Sequence, residues 1–232
     1  DGVGQAADPK LPMEPLTAAV SNCDVWIEFN QKWLLYSTPY QKAIEVNKKL
    51  RYMCLVEFTE DVMIRTMSDI DIPKLTAFMT KVGQLNRAAK TIRMTTPEGT
   101  DVTFETDDPH VVSADTGDPS KSGVYMMLGQ LNVVPKYGSV NGTIVFDGTV
   151  TPPFGRTPDR PIKLIVKDSV IVEIQAGSDP AAYEKWLKDF KDPGMLKMAH
   201  VAYGFNPGAK LSGNVVEDER VWGVTEWGIG YV

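Results

Sequence analysis

The chain reads as an α/β protein, with a parallel-sheet α/β portion over residues 1–91 followed by a β-rich domain over residues 92–232. Three observations predict this. Two near-continuous apolar runs, CDVWIEF and YMCLVEF, flank a helical pattern, as parallel strands covered on both faces require. From residue 92 the period changes from helical to alternating, first in TIRMTTPEGTDVTFETD. Beyond that point short strand patterns recur between Gly- and Pro-rich turns, with a single amphipathic helix near residues 179–190.

Taken in order, a short helix leads into a strand at Asp24–Phe29, then a loop holding Tyr36, Ser37, Thr38 and Pro39, then a helix from about Tyr40 to Leu50. A second buried strand is predicted at Arg51–Phe58. Thr59 caps a helix whose Glu60 and Asp61 suit its positive end. Pro73 opens another helix, with Leu75, Phe78, Met79, Val82 and Leu85 at helical spacing. In doubly wound sheets ligands meet the carboxyl ends of the strands, which points to the loop Asn30–Thr38; Tyr36 there reads on sequence alone as a packed aromatic ahead of a ligand group. The β-rich part opens with a hairpin around a PEG turn. A surface loop carrying His110 is predicted at Asp107–Ser122, then strands at Tyr125–Leu131, Gly142–Phe146, Ile162–Lys167 and Ser169–Ile174, the last two a tight hairpin. In the helix DPAAYEKWLKDF, residues Tyr183, Trp186, Leu187 and Phe190 form the inner face.

The 232 residues carry 43% hydrophobic and 23% charged side chains, ordinary for a globular protein able to bury a core. A net charge of −6 argues against nucleic-acid or anionic-membrane partners, which select clustered Lys and Arg, and favours a small ligand. Cys23 and Cys54 lie in apolar contexts and read as free thiols, which suits a reducing cytoplasm. No run of about 18 apolar residues is present.

The chemistry narrows quickly. A Ser/His/Asp hydrolase lacks a GxSxG elbow, and two cysteines exclude a zinc-finger site. What remains is histidine with carboxylates in the stretch Met195–Gly230, which holds His200 and the acids Glu217, Asp218, Glu219 and Glu226. Glu217–Arg220 reads as a solvated turn. Glu226 lies among Trp222, Val224, Trp227 and Ile229, so its carboxylate needs a partner, whether a metal, an Arg or hydrogen-bond donors.

The segments GTDVTFE, NGTIVFDG, IKLIVKDSVIVEI, KDPG and AHVAYGFNPGAKLSGNVVEDERVWGVTEWGIG, in that order, resemble the aminopeptidase T (M29) superfamily, and within it the dihydroxypyridine dioxygenase branch. The resemblance runs from about Thr17 to Val232. It implies an aminopeptidase T-like catalytic domain, Fe(II) as cofactor (Zn, Co or Mn in the peptidase alternative), a small aromatic substrate with O2, no nucleic-acid or membrane partner, and a homo-oligomer. By the same comparison His200 is a metal ligand, Glu226 a ligand or a group behind one, and Tyr36 and Tyr125 stand where that branch places ring-binding histidines. Gln175, near Glu173, replaces a metal-binding Glu of the peptidases, which counts against a two-metal hydrolase. The remaining ligands, a His-x-Asp motif, and an α/β segment are expected outside Asp1–Val232, so the chain reads as a piece of a longer protein. The implied activity is oxidative ring opening of a hydroxylated N-heterocycle; the rivals are a metallo-aminopeptidase and a non-catalytic relative.

Overall fold

The computed structural model describes residues 4–106, 112–175 and 178–230. Its contacts divide the chain into two compact units, residues 1–72 with 115–128 and residues 73–114 with 129–232. The change of period at residue 92 therefore falls inside the second unit, between a helix and the hairpin that follows it.

The first unit is a three-stranded parallel sheet in the order β1 (Val25–Glu28), β2 (Arg51–Cys54), β6 (Gly123–Met126), with α1 (Met13–Asn22), α2 (Thr38–Val46) and α3 (Glu60–Met63). Ser37 caps α2 through the Tyr40 N–H and Thr59 caps α3 through the Val62 N–H, as the sequence predicts for α3. One face of the sheet packs an aromatic cluster, Trp26 and Tyr52 with the α2 residue Tyr40 at ring separations of 4.4 and 5.2 Å. The other face differs from expectation. Val25 and Ile27 of β1 and Phe29 beyond it are about half exposed, so β1 is covered on one side only. Its unbroken apolar character, read as two-sided burial, does not separate a covered face from an open one. Cys54 is buried and Cys23 half-buried, both as free thiols.

The second unit holds α4 (Ile72–Ala88) and two sheets. A five-stranded sheet runs β10 (Val170–Ile174), β9 (Ile162–Lys167), β8 (Asn141–Phe146), β4 (Asp101–Glu105), β3 (Thr91–Thr95). The predicted hairpins are both present, β3–β4 across the PEG turn and β9–β10 across Asp168 and Ser169, whose φ of 50° and 62° give the turn its left-handed twist. A four-stranded sheet runs β12 (Thr225–Ile229), β11 (Met198–Gly204), β7 (Gln130–Val133), β5 (Val112–Asp115). One core serves the unit, with Phe104, Leu131, Ile144, Ile162, Leu164, Leu187 and Val201 all buried. The α5 helix (Ser178–Asp189) brings Tyr183 and Leu187 into it, whereas Phe190, expected on the inner face, is past the helix end and 53% exposed.

Two other expectations change. The single strand expected at Tyr125–Leu131 is two strands in different sheets, because Gly129 turns the chain at φ 109° and a Cβ there would press against Asn206. The expected loop Asp107–Ser122 contains β5, while His110 lies outside the described residues. Among the described residues no helix is long and apolar enough to cross a membrane.

Leu164 is fully buried between strands. Replacing it with Ala leaves a cavity in a core that cannot collapse around it, and urea unfolding should report a loss of about 2–5 kcal/mol; an unchanged midpoint would contradict this packing.

Candidate functional site

The site begins with β11, the strand between β7 and β12. Its Val201 side faces the core, and on β12 Trp227 does the same, set edge-on against Phe104 at 6.1 Å. These large apolar groups fix which face of the pair is inward. His200 and Ala202 of β11, with Glu226 and Gly228 of β12, therefore share the opposite face. The register pairs His200 with Gly228 and Ala202 with Glu226, after an irregularity between Met198 and His200. Glu226 is thus the diagonal neighbour of His200, close enough for long side chains to meet.

They do meet: His200 Nε2 lies 3.0 Å from Glu226 Oε2. Gly228 makes room for the ring, since a Cβ at that position would overlap the imidazole. The contact is close but not well directed, for Glu226 Oε2 is buried and takes no hydrogen bond of good geometry. Glu226 is nonetheless the first cause of a His200 pKa raised above 6.5; burial opposes it, and Glu219 adds to the rise.

A second layer of charge lies nearby. Glu219 Oε2 accepts from Gln130 Nε2 of β7 and from Arg220, both at 3.1 Å. Burial, and then the charge of Glu226, push the Glu219 carboxyl well above the usual carboxylate range, against the pull of Arg220, Gln130 and His200. Arg220 is fully buried and also donates to the Val216 carbonyl at 2.8 Å.

This overturns the reading of Glu217–Arg220 as a solvated turn. Glu217, Asp218 and Arg220 are buried; Glu217 and Asp218 end a single-turn helix, α6 (Val215–Asp218), capped by Asn214, and Glu219 and Arg220 form the turn that follows it. Glu217 accepts from the Lys210 N–H and the Ser212 hydroxyl, and Asp218 from the N–H groups of Ser212 and Gly213. The two carboxylates organise the preceding loop. The Asn214 cap before two valines signals the helix, but nothing local in EDER marks it as buried.

The tyrosines belong to the first unit. Tyr36 is 62% exposed at φ 68°, its ring edge-on to Tyr40 at 6.0 Å. Tyr125, on β6, donates its hydroxyl to the Lys121 carbonyl at 2.9 Å. Glu173 and Gln175 are exposed, Glu173 on the edge strand β10 and Gln175 just past its end.

An imidazole nitrogen and a carboxylate oxygen suit Fe(II), Zn or Mn. At 3.0 Å apart, the two could both be offered to one ion. Among the described residues, however, no group of three or more His, Cys, Asp or Glu side chains could hold a metal. The pair could supply two donors to a metal and does not complete a site.

Comparison with known proteins follows the same line. The profile of the NicX family, 2,5-dihydroxypyridine 5,6-dioxygenase, matches residues 3–226. A structure of 2,5-dihydroxypyridine dioxygenase from Pseudomonas putida KT2440 superposes at a TM-score of 0.70 with 19% identity, over 89% of this chain and 60% of that one. Wild-type AmpT from Thermus thermophilus superposes at 0.58 with 13% identity, over 97% of this chain and 71% of that one. At these identities the likeness is one of fold, the mixed α/β aminopeptidase T-like fold. The chain spans less than two thirds of the dioxygenase's length. No curated protein matches it in sequence.

Two outcomes test the His200–Glu226 pair in metal-free protein. Because the folded pKa of His200 is raised, the pair stabilises the fold below pH 6.5, and this contribution is lost as pH rises through the folded value. An NMR titration should place His200 above 6.5, and Glu226→Gln should lower it and remove that pH dependence. Gly228→Ala should displace the ring, cost about 1–3 kcal/mol by overpacking and bring the His200 midpoint down; an unmoved midpoint would contradict the geometry.

Proposed function

The chain belongs to the 2,5-dihydroxypyridine 5,6-dioxygenase family, and from that premise we propose that it serves the oxidative opening of a hydroxylated N-heterocycle such as a dihydroxypyridine, with Fe(II) and O2. The observation that carries the reading is the family match over residues 3–226 together with a histidine–carboxylate pair that it encloses, His200 and Glu226 at 3.0 Å. Iron is the group that would supply O2 activation. His200 offers it a nitrogen and Glu226 an oxygen, and Gly228 leaves the space in which the imidazole turns toward Glu226.

Each remaining residue has a role that its chemistry allows. A phenol can donate to a substrate oxygen or accept from a substrate hydroxyl, so Tyr36, exposed in its loop, is proposed to donate, and Tyr125, whose own O–H goes to the Lys121 carbonyl, to accept. Glu219, its carboxyl raised by burial, is placed by Gln130 and Arg220 behind the pair. The reading includes a cytoplasmic, oligomeric enzyme, to which a net charge of −6 poses no obstacle.

The test is oxygen consumption. The full-length protein, loaded anaerobically with Fe(II) and mixed with 2,5-dihydroxypyridine, should take up O2, and His200→Ala should fall to background. Hydrolysis of a leucyl chromogenic substrate with Zn, Co or Mn, without O2 uptake, would replace this reading with the peptidase one. Full retention of function in His200→Ala would favour a binding protein.

A further inference from the structure

Glu28 is a buried carboxylate that the proposed chemistry does not use. It ends β1, is 1% exposed, and takes donors on both oxygens. Oε1 accepts from the Leu34 N–H at 2.6 Å and from Asn30 Nδ2 at 3.3 Å. Oε2 accepts the hydroxyl of Tyr52, which is itself fully buried on β2. A carboxylate in such a place is costly unless its lone pairs are filled, and here the loop after β1 fills them.

That loop carries Tyr36. From Leu34 the chain turns tightly, with the Ser37 N–H donating back to the Leu34 carbonyl at 2.9 Å, and Tyr36 between them takes the left-handed conformation that non-glycine residues seldom adopt. A second route runs through rings: Tyr52 packs on Tyr40 at 5.2 Å, and Tyr40 on Tyr36 at 6.0 Å. Glu28 thus reaches Tyr36 twice, through the Leu34 amide and through the phenol of Tyr52. The contacts form a closed circuit within one unit. Exposed side chains over such a circuit are presented by it rather than packed into it, which is what a residue that meets a ligand requires.

We infer that Glu28 is a positioning residue: its carboxylate, braced by Tyr52, holds the loop Asn30–Ser37 in the shape that presents Tyr36 to a hydroxylated ring. The inference rests on the substrate role proposed for Tyr36. Glutamine at position 28 keeps the size but offers one acceptor oxygen and an NH2 group in place of two acceptors, so it cannot satisfy Leu34, Asn30 and Tyr52 in the same arrangement.

The experiment is a double-mutant cycle on 2,5-dihydroxypyridine binding, measured anaerobically by calorimetry with Fe(II) present, on the full-length protein as wild type, E28Q, Y36F and the double variant. Hydrogen exchange at the Leu34 amide and the thermal midpoint are followed alongside. Folded E28Q should exchange Leu34 faster and bind about tenfold more weakly, the worth of one hydrogen bond, while in the Y36F background E28Q should weaken binding little further. Additive losses, or unchanged Leu34 exchange, would overturn the inference, because a purely structural Glu28 would act independently of the Tyr36 hydroxyl. Should E28Q not fold, Y52F takes one donor from the same carboxylate, and its effect on binding should likewise vanish in Y36F; a loss that persists there rejects the brace. Absence of binding by wild type, with Leu34 protected as described, instead sinks the substrate reading itself and the role of Glu28 with it.

Discussion

The antiparallel pairing of β11 with β12 is the constraint on which the candidate site depends. Behind the pair, Val201 and Trp227 are held in the core, and a strand with one large apolar face cannot slip by one residue without exposing it. In front, that fixed register sets His200 beside Gly228 and diagonal to Glu226. The ring lies where it does because position 228 has no side chain, and the carboxylate meets it because the diagonal spacing allows two long side chains to touch. Chemistry and packing are thus two faces of one ladder.

Charge around this ladder is managed by burial with local partners. Four consecutive ionisable residues, Glu217–Arg220, would be expensive in a low-dielectric interior if left unpaired. Glu217 and Asp218 are filled by hydroxyl and backbone donors of the loop before them, and Arg220 meets Glu219 and a carbonyl. What is left over is the carboxylate of Glu226, which together with burial raises the cost of ionising Glu219, and the imidazole of His200 is the cation-capable group beside it. A site of this character attracts a positive partner, a proton in the bare protein or a metal ion in the reading proposed above.

The first unit solves a similar problem with different parts. Glu28 is buried at the carboxyl end of a parallel strand, where doubly wound sheets place their ligand loops, and its lone pairs are met by loop amides and a buried phenol. A loop tied to a buried carboxylate has fewer conformations than its length suggests, so an exposed residue such as Tyr36 can be held in a rarely used backbone conformation.

Much of this was legible in the chain alone. Hydrophobic period located the first two parallel strands, the long amphipathic helix and both hairpins, because two-fold and 3.6-fold repeats follow from backbone geometry. An apolar setting around Glu226 announced that the carboxylate needs a partner, and the stretch that resembles a known family contained both members of the pair. Other features were decided only by tertiary structure. Whether β1 is covered on both faces depends on what packs there, and the apolar run is the same either way. That Tyr125 and Leu131 lie in different sheets follows from the close approach of Asn206 to Gly129, a contact across many residues of sequence. Burial of EDER and the tethering of Leu34 by Glu28 arise from loops folding back onto carboxylates, a long-range match of donors to acceptors that no local pattern encodes. The sequence by itself thus determined the elements and named the residues capable of the chemistry; only the three-dimensional register decided which of them touch, because side-chain neighbours across a sheet are set by strand pairing and not by distance along the chain.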